Sequence, residues 1–208
     1  AAVVSLAQMD VVEIHTWNSR AEHVEQPDRI VLDLDPGPEI SRRQVIDAAR
    51  LVRAALRALG LESWVKTTGG LGLHVVAPLL PERDWGECLA FARGVALAVE
   101  REDPRLYTTR YAKAGREAKI LLDYLRNNRT NTSIAAFSTR ARPGAPVSFP
   151  IGWDDLTPRL DPLAITLATV PRRLSRETVD PWAGYFRSRQ RLTAAALRAA
   201  GASLRVAR

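Results

Sequence analysis

Residues 29–38 read Arg-Ile-Val-Leu-Asp-Leu-Asp-Pro-Gly-Pro. A short β-branched apolar run of this kind is a strand whose interior must be buried, and Pro36-Gly37-Pro38 stops it. Asp33 and Asp35 stand at its carboxyl end. Successive strand residues alternate between faces, so both carboxylates point the same way. A fold built on this strand has to cover its apolar residues and find a use for two neighbouring negative charges.

The rest of the chain supplies partners for such a strand. Residues 1–8 read as the end of a helix, and Val11–Trp17 as a strand by its alternation. Ser41, with Gln44 three residues on, makes a capping box that opens a helix. Val45, Ala49, Val52, Leu56 and Leu59 share its apolar face, and Gly60 ends it. Leu61–Thr67 and Leu73–Ala77 are two strands joined by a glycine-rich turn. Asp84 and Glu87 open a second helix running to about Glu102. Lys119–Leu125 and Ser133–Phe137 are further strands, followed by a Pro-rich passage through Pro150. The chain is irregular from Trp153, and Trp182–Ala200 reads as a final helix. This order predicts an α+β fold, a mostly antiparallel sheet core with flanking helices. No internal repeat interrupts it, and no clean second-domain boundary comes before the Pro-rich passage.

Composition narrows the class. At 208 residues, 46% hydrophobic and 25% charged, the chain is neither a disordered tail, a collagen-like fibre nor a coiled coil. No apolar run approaches the ~20 residues of a membrane span. One Cys and three His exclude the usual zinc frameworks, and Cys88 reads as a buried, inert thiol. No signal peptide is recognisable, which points to the cytoplasm. The net charge is +7, and residues 105–142 carry all of it: seven Arg and two Lys against Glu117 and Asp123. Such a segment suits a surface that meets phosphate, and equally a solvated basic face.

Two carboxylates one residue apart raise each other's proton affinity unless a cation lies between them. A hard divalent ion held through oxygen, Mg²⁺ or Mn²⁺ with a nucleotide phosphate, is the economical explanation; the alternative is a strand end whose acids face water or cap the next helix. Asp123 sits in Ile120-Leu121-Leu122-Asp123-Tyr124-Leu125, where an unpaired carboxylate is costly. If its strand neighbours the first, Asp33, Asp35 and Asp123 form a cluster able to hold two metals for an in-line displacement. Otherwise Asp123 pairs with Arg126 or Lys119.

Thr68-Gly69-Gly70-Leu71-Gly72-Leu73-His74 places three glycines and a hydroxyl between strands. Backbone N–H groups of Gly69 and Gly70 can close on an anion, with Thr68 and His74 as further phosphate donors. A plain hairpin with a packed His74 is the alternative, which loses ground beside the carboxylates. Arg140 and Arg142 alternate like strand residues and suit bidentate phosphate contact. By strand parity Lys119 shares the face of Asp123, for charge balance or a contact to the triphosphate.

Together these residues resemble the polymerase domain of bacterial ligase D, in the archaeo-eukaryotic primase superfamily. The matching stretches are QMDVVEIHTWNSR, DRIVLDLDPGP, WVKTTGGLGLHVVAPL, KILLDYLRNNRTNTSIAAFSTRARPGAPVS and TVPRRL…DPWAGYF, in the family's order and spacing. The resemblance implies a primase-polymerase, RRM-like catalytic core and a template-dependent nucleotidyltransferase. Such an enzyme adds nucleotides, often ribonucleotides, at DNA ends in non-homologous end joining. It implies two divalent ions, typically Mn²⁺, on Asp33, Asp35 and Asp123. Thr68 and His74 match the family's triphosphate-binding Ser and His, and Arg140 an essential basic residue. The partners implied are DNA ends or a primer–template, a nucleoside triphosphate, ligase and nuclease modules and a Ku-type protein, in a bacterial, nucleoid-associated setting.

Thr68 stands where Ser is usual, and Leu71 where many relatives carry Lys or Arg. The resemblance also implies that residues 1–208 are the catalytic portion of an N-terminally incomplete domain, lacking the Lys that grips a 5′-phosphate and aromatics near the nucleotide. Two rivals remain. Haloacid-dehalogenase-like phosphatases also open on Asp-x-Asp, but Gly37 stands where they carry Thr or Val. A non-catalytic or impaired DNA-end-binding module would use the basic stretch alone; a decayed site would have lost an acid, and all three are present.

Overall fold

The computed structural model describes residues 2–201. Among them the strands are β1 (His15–Thr16), β2 (Arg29–Pro36), β3 (Trp64–Thr67), β4 (Leu73–Pro78), β5 (Tyr107–Thr108), β6 (Ile120–Asp123), β7 (Ser133–Ile134) and β8 (Pro150–Ile151). The helices are α1 (Ala2–Gln8), α2 (Arg42–Ala58), α3 (Trp85–Glu102), α4 (Val170–Leu174) and α5 (Ala194–Gly201). Six strands form one sheet in the order β5-β6-β2-β4-β3-β8, while β1 and β7 pair separately. Every pair is antiparallel except β5 with β6. The α+β expectation holds, and β2 lies inside the sheet as its apolar run requires.

Alternation along β2 divides the molecule. Ile30, Leu32 and Leu34 join Leu73, Val75, Ala77, Ile120 and Leu122 in a core with Val45, Ala49, Val52 and Leu56 of α2 and Phe91, Val95 and Val99 of α3. The intervening residues face the other way, where Val31 and Val76 pack with Tyr185, Trp64 and Trp182. One sheet face is thus closed by helices, and the other carries Asp33 and Asp35. The capping boxes at Ser41/Gln44 and Asp84/Glu87 form as expected and fix where α2 and α3 begin.

Where β6 ends, a side chain replaces the ladder. Tyr124 turns into the αR region and a 3₁₀ turn follows over Leu125–Asn127. Buried Asn127 then presents its amide to β2: Oδ1 accepts from Val31 N at 2.8 Å and Nδ2 donates to Val31 O at 2.7 Å. The second amide hydrogen reaches Tyr124 O at 2.8 Å.

Several elements depart from the sequence expectation. The Val11–Trp17 strand shrinks to His15–Thr16; the residues before it are held by isolated bonds such as Ile14 N to Ser138 Oγ. Leu61–Thr67, Lys119–Leu125 and Ser133–Phe137 shorten to β3, β6 and β7. The parallel strand β5 carried too short a pattern to read. The helix expected over Trp182–Ala200 is only a 3₁₀ turn at Tyr185–Arg187 and then α5. Its first half is diverted because Gly184 is left-handed (φ 88°) and the Gln190 amide donates to Glu62 O and Pro78 O, stretching the chain along the sheet.

Cys88 is fully buried in α3, and burial, then Glu87 and Asp84, push its thiol up to about 12. The thiolate is the reactive form. Iodoacetamide at pH 8 is therefore expected to leave the native protein unmodified and to label it once in denaturant, read by mass spectrometry. Rapid native labelling would refute the packing of α3.

Candidate active site

The registers of four strands set one row across the open face. Lys66 of β3 lies opposite His74 of β4, His74 opposite Asp33 of β2, and Asp33 opposite Asp123 of β6. Asp35 stands one step further along β2 on the same face, opposite Leu121. The three aspartates therefore meet on one face. Asp33 and Asp123 are buried and Asp35 is exposed.

Cations already stand among them. Arg126 Nε is 3.1 Å from both Asp33 Oδ2 and Asp123 Oδ2, and Arg116 donates to Asp35 at 3.1 Å. Asp123 Oδ1 also accepts from the Tyr111 hydroxyl at 2.9 Å and from Leu125 N at 2.8 Å. Of the two partners weighed for Asp123, the structure pairs it with Arg126. Lys119 instead lies before β6 begins and donates to Pro104 O at 2.7 Å. Strand parity misplaced it, because a long side chain at a strand's start takes the nearest carbonyl.

The three carboxyls differ electrostatically. Burial alone would raise Asp33, but His74, Arg126 and Lys66 overcome it and hold the group at about 2. Asp35 and Asp123 are raised by burial and by the charge of Asp33, against the pull of Arg116 and Arg126. One fixed anion is thus flanked by two carboxyls whose charge is incompletely balanced. Burial and the Lys66 charge push His74 down to about 4. At neutral pH its uncharged ring places Nε2 3.3 Å from Asp33 Oδ2, while buried Nδ1 has no partner. Burial, helped by Arg140 and Arg29, lowers Lys66 to about 7. Its ammonium donates to Ile134 O at 2.9 Å and Ser148 Oγ at 2.7 Å.

A cleft of about 270 Å³ opens over this row. His15, Arg126, Arg140 and Arg142 share its wall with Asp33, Asp35, His74 and the glycine turn. That turn joins β3 to β4 as expected. Gly69 is left-handed (φ 69°), and a Cβ there would stand 2.5 Å from Arg140 Cγ. At Gly72 a Cβ would come within 2.5 Å of Leu34 O. Both glycines let the turn lie flat between β2 and the Arg140 side chain. Within it the Thr68 hydroxyl donates to Gly72 O at 3.2 Å and accepts from Gly70 N at 3.3 Å. Arg140 Nη1 donates to Thr68 O at 2.8 Å. The Arg142 side chain reaches over Gly70, where a Cβ would stand 3.0 Å from Nη1.

The structure thus brings together Asp33, Asp35, Asp123, Thr68, Gly69, Gly70, His74, Arg140 and Arg142, and leaves Lys119 apart. It adds Arg116, His15 and Lys66, which the sequence reading left unassigned, and Arg126, which it weighed only as a partner for Asp123. Lys66 had the same signal as Asp123, a charge inside an apolar strand. Arg116 had none, since it meets Asp35 across 81 residues.

Chemically, the donor set is Asp33 and Asp35 in the cleft, Asp123 beside Asp33, and basic side chains along the wall. Oxygen donors of this kind suit a hard divalent cation. As placed, no three of the described His, Cys, Asp and Glu side chains form a ready metal cage, and Arg116 and Arg126 hold carboxylate oxygens of the three aspartates.

Comparison with known proteins gives the same direction. The family described as "LigD, primase-polymerase domain" matches residues 1–182. The multifunctional non-homologous end joining protein LigD of Pseudomonas aeruginosa is 38% identical over 201 residues, 96% of this chain and 24% of that protein. The bifunctional non-homologous end joining protein LigD of Bacillus subtilis is 30% identical over 166 residues, 79% of this chain and 27% of that protein. The chain therefore spans about a quarter of the length of these curated relatives. Among solved structures, the polymerase domain of Mycobacterium tuberculosis ligase D in complex with DNA superposes with a TM-score of 0.77 at 30% identity, covering 85% of this chain and 64% of that one.

Proposed function

Since the chain belongs to the LigD primase-polymerase domain family, we propose that it is a metal-dependent nucleotidyltransferase that extends DNA ends in non-homologous end joining. The observation that carries this is the meeting of Asp33, Asp35 and Asp123 on one sheet face beneath a cleft walled by Arg126, Arg140 and Arg142.

Asp33, Asp35 and Asp123 would hold the divalent ions, Mn²⁺ or Mg²⁺, with Arg126 and Arg116 yielding their oxygens. Bound there, such ions supply charge neutralisation for an attacking 3′-hydroxyl and a leaving pyrophosphate. The chain's own residues do the rest. His74 keeps Asp33 oriented and, being neutral, adds no competing charge. Arg140 and Arg142 bind the triphosphate through paired N–H donors, which suits phosphate oxygens better than a point charge. The Gly69–Gly70 backbone lets the phosphates approach without a Cβ in the way. Thr68 reaches the same oxygens by exchanging its bond to Gly72 O.

In this reading the substrates are a primer–template or broken DNA end and a nucleoside triphosphate. Ligase and nuclease modules and a Ku-type end-binding protein are the working partners, in the bacterial nucleoid. Two supports are the relatives' names, which place them in end joining, and the basic segment 105–142 beside the cleft. Among the described residues no helix is long and apolar enough to cross a membrane.

The test is extension of a labelled primer–template by the purified chain with Mn²⁺ and NTPs. No extension of the primer–template, with tight DNA binding retained, would favour the alternative, a non-catalytic or impaired end-binding module. That alternative draws on one feature: each carboxylate of the trio already has an arginine partner.

Salt dependence gives a quantitative check. Of the nine cations in 105–142, Arg105, Arg116, Arg126, Arg129 and Arg140 face acids within the fold. With Arg142 assigned to the triphosphate, three remain for DNA: Arg110, Lys113 and Lys119. The slope of log K against log salt is therefore expected to be about −3. A slope of about −6 would mean that the ion pairs of Arg105, Arg116, Arg126 and Arg129 open on binding.

A further inference from the structure

Glu13 takes no part in the chemistry above, yet its carboxylate lies directly behind the cleft wall. Oε2 is 2.9 Å from His15 Nε2. Oε1 accepts from Ala141 N at 2.8 Å and stands 3.1 Å from Arg140 Nε. The side chain is three-quarters covered. The three contacts come from two separate stretches of chain, β1 and the 138–142 loop. His15 and Arg140 are both lining residues of the cleft.

A negative charge beside a site for a polyanion is unfavourable in itself, so its presence calls for a compensating role. Arg140 shows what that role is. Its Nη1 donates to Thr68 O, its Cγ lies across Gly69, and Nε stands 3.1 Å from Glu13 Oε1 as an ion pair outside hydrogen-bond geometry. One hydrogen bond and one ion pair hold the planar guanidinium at the cleft that Arg140 lines. The His15 ring is set by the same carboxylate. We propose that Glu13 is a positioning residue, a clamp that holds Arg140 and His15 together at the spacing that receives the nucleoside triphosphate. The proposal rests on the polymerase function above and extends it to how the triphosphate wall is set.

The clamp is separable from the fold. The segment carrying Glu13 is also stitched to the 133–141 region by Ile14 N to Ser138 Oγ at 2.8 Å, Ala135 N to Ile14 O at 2.9 Å and the β1–β7 pairing. Removing the carboxylate frees two side chains while leaving that backbone attached.

Wild type, Glu13→Ala and Glu13→Gln are compared in primer extension, with NTP and primer–template varied separately, and in calorimetric titration with inorganic tripolyphosphate. The expected result for Glu13→Ala is an NTP KM roughly 10- to 100-fold higher, as for other misoriented binding groups, with an unchanged primer–template KM. Tripolyphosphate affinity falls in parallel. Glu13→Gln keeps an acceptor for Ala141 N and recovers part of the loss. Unchanged NTP KM in Glu13→Ala, or NTP and primer–template KM rising together, overturns the clamp. If Glu13→Ala loses its folded circular dichroism, Glu13→Gln decides: an NTP KM equal to wild type overturns it. If wild type extends no primer, the polymerase function fails separately. The clamp is then judged on tripolyphosphate alone, supported by weaker binding in both variants and overturned by equal binding.

Discussion

Asp33→Asn is expected to lower primer extension by about 10³-fold or more, with the folded state retained. Asp33 is the one carboxyl of the trio held ionised down to about pH 2, and the register puts it directly opposite both His74 and Asp123. Asn keeps the shape and one acceptor oxygen but gives up the charge that a divalent ion would need. Asp35 and Asp123 do not replace it, because each remains paired with an arginine, Arg116 and Arg126. The measurement is single-turnover extension with Mn²⁺ across matched protein concentrations, beside a melting curve. A variant retaining a tenth of wild-type activity would sink the metal assignment. A modest fall in melting temperature is expected as well, since Lys66, His74 and Arg126 lose the anion they surround.

The second large effect concerns folding. Asn127→Ala is expected to cost about 2–5 kcal/mol, because it strips partners from two buried backbone groups at once. The Asn127 amide occupies the place where the next residue of a longer β6 would have bonded to Val31, so nothing else in the sheet can satisfy Val31 N and Val31 O. Urea unfolding followed by circular dichroism gives the number. A loss below about 1 kcal/mol would mean that water enters the gap and serves both groups. Asn127→Asp separates the two halves of the amide: it still accepts from Val31 N but cannot donate to Val31 O, and it buries a charge. It is expected to be no better than Ala.

How much of this was legible follows from where the information lies. The period of two in β2 sufficed to put Asp33 and Asp35 on one face, and the burial cost of Asp123 sufficed to bring it near a cation. Both inferences use only neighbours in the chain. The capping boxes at Ser41 and Asp84 were readable for the same reason. Arg116 and Glu13 were not, because their partners lie 81 and 128 residues away and no local pattern marks them. The error at Lys119 was of another kind: parity was applied past the end of the strand. The expected final helix failed where left-handed Gly184 and the Gln190 side chain outweighed an apolar periodicity.

The two-faced sheet has a consequence for how such a protein can change. In β2, positions 30, 32 and 34 answer to the helices, Val31 to a small apolar cluster on the other face, and Asp33 and Asp35 to whatever occupies the cleft. The two alphabets are interleaved but physically insulated by the sheet itself. A lineage, or a designer, can therefore rewrite positions 33 and 35 and alter the chemistry without renegotiating the helix-covered core. Insertion of a single residue in β2 would exchange the two messages and lose both.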